Sequence, residues 1–124
     1  MAGNAYTFDF GAGRSPVCTI KVTVQSDQWD RLFAGVRKFA GLNDFDVRVT
    51  RLKPELDIVY IDLWKPDMAI AGENVFKPSD FALSLYIDPT KGATRDAALS
   101  AANRLRDELM EIPGASVELE SPTD

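Results

Sequence analysis

Hydrophobic and polar positions alternate strictly near the start of the chain: Cys18, Ile20, Val22 and Val24 take one side and Thr19, Lys21 and Thr23 the other. A period of two is the mark of a half-buried strand, here over residues 17–25. The period then changes. Trp29, Leu32, Phe33, Val36, Phe39 and Ala40 recur at helical spacing, with Ser26 placed to cap the helix, Asp27 in its first turn and Gly41 suited to a left-handed exit. Phe45, Val47 and Val49 alternate with Asp46, Arg48 and Thr50, which predicts a second strand ending near Lys53-Pro54, and a third runs from Ile58 to Trp64.

Residues 65–80 contain two short similar pieces, Leu63-Trp64-Lys65-Pro66-Asp67 and Val75-Phe76-Lys77-Pro78-Ser79, around Ala71-Gly72-Glu73-Asn74. Proline at the end of each piece predicts a hairpin-like insertion. Phe81, Leu83, Leu85 and Ile87 alternate with Ala82, Ser84 and Tyr86 as a further strand, and Asp88-Pro89-Thr90-Lys91-Gly92 is turn chemistry. A second helix starts near Thr94. Its apolar face is Ala98, Ala101, Ala102, Leu105, Leu109 and Ile112, it ends at Pro113-Gly114, and Val117 and Leu119 mark a last short strand.

The order of strand, helix, two or three strands, helix, strand predicts an α+β fold. It matches a ferredoxin-like split βαβ sandwich with a mainly antiparallel sheet and two helices on one face. The predicted organisation is an N-terminal strand or arm over 1–16, where Tyr6, Phe8 and Phe10 alternate, one domain over 17–120, and a polar tail over 121–124.

Composition removes many chemistries. The 124 residues include no histidine and one cysteine, so imidazole bases, histidine metal ligands and Cys-His pairs are absent. Cys18 is expected in the core, as a small hydrophobe. Fourteen Lys+Arg against nineteen Asp+Glu leave a net charge of −5, which disfavours general nucleic-acid binding and attraction to anionic lipid and favours a basic or neutral protein partner. No run is long and apolar enough to span a membrane, and a lone cysteine fits a reducing compartment; a cytoplasmic location is expected. Gly11-Ala12-Gly13 begins like a dinucleotide fingerprint but precedes a strand, so it is no Rossmann loop.

Two surfaces carry the functional expectations. If Val59, Ile61 and Leu63 face the helices, then Ile58, Tyr60, Asp62 and Trp64 point the other way, together with Tyr86 and Asp88. Tyrosine and tryptophan bury large area at low entropic cost, which makes Tyr60, Trp64 and Tyr86 candidate anchors for a protein partner or a homodimer, with Asp62 and Asp88 pairing its basic groups. Asp62 and Asp88 are also the carboxylates to inspect for acid/base or Mg²⁺ chemistry, although no metal-loop spacing is present. The second surface is the helix start at Thr90, Lys91, Thr94 and Arg95, whose hydroxyls, cations and backbone N–H groups suit a small anionic ligand. No cofactor or metal is expected, and the non-catalytic reading is preferred. A small acidic domain with an aromatic sheet face is similar in general character to bacterial immunity and inhibitor proteins, an analogy of composition that no motif carries.

Overall fold

The structure is a computed structural model that describes residues 15–52, 57–74 and 77–121. Six strands form one antiparallel sheet: β1 (Cys18–Thr23), β2 (Asp46–Arg51), β3 (Val59–Lys65), β4 (Met68–Glu73), β5 (Asp80–Ile87) and β6 (Ser116–Glu120). Helix α1 (Trp29–Leu42) joins β1 to β2, and α2 (Arg95–Leu109) joins β5 to β6. The strand order is β2-β3-β4-β5-β1-β6. Strands β2 to β5 are therefore a meander, while β1 returns to lie between β5 and β6, so that the β5-α2-β6 crossover straddles β1.

Burial follows the alternation. Cys18, Ile20 and Val22 on β1, Val59, Ile61 and Leu63 on β3, Met68 and Ile70 on β4, and Phe81, Leu83 and Leu85 on β5 all face one side. There they meet Leu32, Val36 and Phe39 of α1 and Ala98, Ala102, Leu105 and Leu109 of α2 in one core. Alanines in the first half of α2 let its backbone approach the sheet. At one corner Trp29 stacks edge-on against Phe81 at 5.9 Å, with the Arg51 guanidinium 5.0 Å from its ring centroid. At another, Lys65 lies over Phe45 at 4.6 Å.

The structure corrects several expectations. Residues 65–80 are no hairpin insertion: Pro66-Asp67 is only the turn between β3 and β4, and β4 runs through the middle of the sheet, paired on both edges. Four strands therefore separate the helices. Small side chains make β4 inconspicuous, and at Gly72 a Cβ would stand 3.0 Å from Leu83 Cγ, so a larger residue there must push that side chain aside. Ser26 opens a short 3-10 turn (Ser26–Gln28) and does not cap α1, whose N-cap, Gln28, makes no side-chain cap bond. The left-handed exit of α1 belongs to Asp44 (φ 63) and not to Gly41, since the helix runs on to Leu42 and Phe45 N–H reaches back to the Ala40 carbonyl. Helix α2 stops at Leu109; Ile112 is buried from the turn that follows. The predicted arm at Tyr6, Phe8 and Phe10 lies outside the described residues. No helix among the described residues is long and apolar enough to cross a membrane.

Candidate functional site

Both helices pack on one face of the sheet, and the register defines what the opposite face presents. Four cross-strand rows run over it. The first is Ser116, Thr23 and Asp80. The second is Glu118, Lys21, Ala82, Glu73, Tyr60 and Thr50. The third is Glu120, Thr19, Ser84, Ala71, Asp62 and Arg48, and the fourth is Tyr86, Ala69, Trp64 and Asp46.

Tyr60, Asp62, Trp64 and Tyr86 thus share the face that carries no helix, all of them half-buried. Trp64 and Tyr86 flank Ala69, which is only 5% exposed although it points away from the core. Neither aromatic is a free side chain, since Trp64, Tyr86, Arg48 and Asp88 each have further interactions. Asp88 lies just past the end of β5. Its N–H donates to the Asp67 carbonyl at 2.9 Å, and its carboxylate accepts from the N–H and hydroxyl of Thr90. Asp62 and Asp88 are held two strands apart, about 10 Å from strand spacing alone, so they do not meet as an acid/base or metal pair. Among the described residues no group of three or more candidate ligands could hold a metal ion.

The register also shows a site that reading along the chain missed. Where β4, β5, β1 and β6 run side by side, a hollow of about 400 Å³ is bordered by Lys21, Thr23, Glu73, Asp80, Ser116 and Glu118 over Ala82. It exists because Ala82 is short while its neighbours across both strands are long. Thr23 Oγ1 donates to Asp80 at 3.0 Å, and Lys21 pairs with Glu120 at 3.3 Å. Glu73 and Glu118 have no ion-pair partner among the described residues. Glu73 and Asp80 flank the short connection between β4 and β5, but Glu118 is distant in sequence, and the strand order brings it to them.

Charge is distributed unevenly between the two sides. The helix-free face carries six carboxylates, Asp46, Asp62, Glu73, Asp80, Glu118 and Glu120, against two cations, Lys21 and Arg48. Helices α1 and α2 carry six cations against four carboxylates. The cations Arg51 and Lys65 also lie on the helix side, where they stack on Trp29 and Phe45.

At the start of α2 the two threonine hydroxyls, Thr90 and Thr94, are bonded within the chain. Thr94 caps the helix by accepting from Ala97 N–H at 3.1 Å, and Thr90 is bound to Asp88 in a 3-10 turn (Pro89–Lys91) closed by Gly92 at φ 89. Arg95 approaches Cys18 closely enough to favour its thiolate, but burial dominates and pushes the thiol above its ordinary pKa. A protonated, buried thiol is a poor nucleophile. No protein-family model matches the chain, and no curated protein is similar to it in sequence.

Proposed function

We propose that this chain is a non-catalytic protein-binding module, comparable in role to small immunity or inhibitor proteins or to an assembly subunit, and that it docks through the helix-free face of its sheet. The observation that supports the reading is the joint presence there of Tyr60, Trp64 and Tyr86 with a net excess of carboxylates. Aromatic anchors supply contact area, and the surrounding charge selects the partner. A basic protein surface is the better electrostatic match. Self-pairing across a two-fold axis would set carboxylates against carboxylates. We read the architecture as a ferredoxin-like plan enlarged by two meander strands, and the location as cytoplasmic, in keeping with the single buried thiol of Cys18.

The test begins with native mass spectrometry of the untagged protein purified from its own host, followed by affinity measurements on the protein that accompanies it. Tyr60→Ala/Trp64→Ala, with an unchanged circular dichroism spectrum, is expected to lose binding by about 100-fold, since two anchors of this kind contribute about 1–2 kcal/mol or more each. Unchanged affinity in the folded double variant would overturn this surface.

A further inference from the structure

The hollow over Ala82 deepens that reading, on which it rests, by specifying what the partner brings. We infer that the β4-β5-β1-β6 half of the face receives a basic segment of the partner protein and that an arginine or lysine side chain of that segment enters the hollow. Three features lead there together. The hollow is concave, with an apolar floor at Ala82 for the stem of a long side chain. Its rim offers Glu73 and Glu118, which have no ion-pair partner among the described residues, and Asp80, held in place by Thr23. The one cation at the rim, Lys21, is already turned to Glu120.

Charge complementarity at larger scale selects the same occupant. The whole face is acidic, whereas α1 and α2 carry a small excess of cations, so a cationic segment is drawn to this side of the molecule. Tyr60 stands beside Glu73 in the same cross-strand row, which makes the hollow continuous with the aromatic part of the face. A guanidinium in the hollow would find carboxylates from three strands and an aromatic side chain beside them.

A hexa-arginine peptide serves as the probe, titrated into the isotopically labelled protein at low salt while amide shifts are followed by NMR. The expected shifts concentrate at Thr23, Glu73, Ala82, Ser116 and Glu118. The triple variant Glu73→Gln/Asp80→Asn/Glu118→Gln is expected to weaken binding about tenfold, because each exposed charge pair contributes only a fraction of a kcal/mol. A control triple on the helices, Asp30→Asn/Asp96→Asn/Asp107→Asn, changes net charge equally and is expected to weaken it less than about twofold. Equal weakening by the two triples, shifts centred on α1 and α2, or no binding would each overturn the inference. Should the first triple fail to fold, Glu118→Gln alone, on the edge strand, is to weaken binding where Asp107→Asn does not. The outcomes separate from those of the docking-face test. An inert titration beside a partner-binding defect in the Tyr60/Trp64 variant removes the hollow and keeps the face; the opposite pair of results does the reverse.

Discussion

Asn74 is a buried amide that ties the entry of β3 to the loop before β5. Its side-chain oxygen accepts from Val59 N–H at 2.7 Å, and its nitrogen donates to the carbonyls of Asp57 and Pro78, both at 3.0 Å. Replacement by alanine strands three backbone groups, and Asn74→Ala is expected to lose about 2–3 kcal/mol in urea denaturation. The sequence hides this role, because an asparagine after Ala-Gly-Glu reads as loop polarity. Cys18 is the opposite case. Its place in the alternation with Ile20 and Val22 predicts burial, and the structure has it fully buried. Since its folded pKa is raised, the folded state holds the proton more tightly. The stability this contributes is complete below the ordinary thiol pKa and is lost as pH rises through the raised value. Stability of the wild type is therefore expected to fall more steeply on the alkaline side than that of Cys18→Ala, and a thiol reagent should label Cys18 only as the protein unfolds.

Among the elements, β1, β2, β3, β5, β6 and both helices are legible from periodicity, and on the strands the reason is side-chain size. Ile, Val and Leu alternate there with polar neighbours. Strand β4 is not legible, because Met68-Ala69-Ile70-Ala71-Gly72-Glu73 sets small residues on both faces and lies near two prolines. Its smallness is structural: Gly72 admits Leu83 and Ile61 on the core side, and Ala69 and Ala71 leave room on the other. Gly72→Ala is expected to cost about 1–2 kcal/mol, as a methyl group forced against Leu83 must displace it. The start of α2 is legible in Thr94, whose cap is worth about 1 kcal/mol, so Thr94→Ala should lower the melting temperature without altering partner affinity. The aromatic half of the candidate face came from alternation along β3 and β5. The acidic hollow could not, since it depends on β1 lying between β5 and β6, which no local pattern encodes.

At the scale of the whole molecule, that placement of β1 controls how the sheet is completed. Cys18 pairs with Leu85 and Thr19 with Glu120, so the first strand docks only after β5 is available and is enclosed only when β6 arrives from the far end of the chain. Pairings this distant make for slow closure, and refolding is expected on the millisecond-to-second scale in stopped-flow experiments. Uneven charge on the two sides has a separate consequence, in the kinetics of encounter. A molecule whose excess negative charge is concentrated on one face of its sheet has a dipole across its thickness. In the field of a cationic surface it turns before it touches, and collisions begin sheet-first more often than chance orientation would allow.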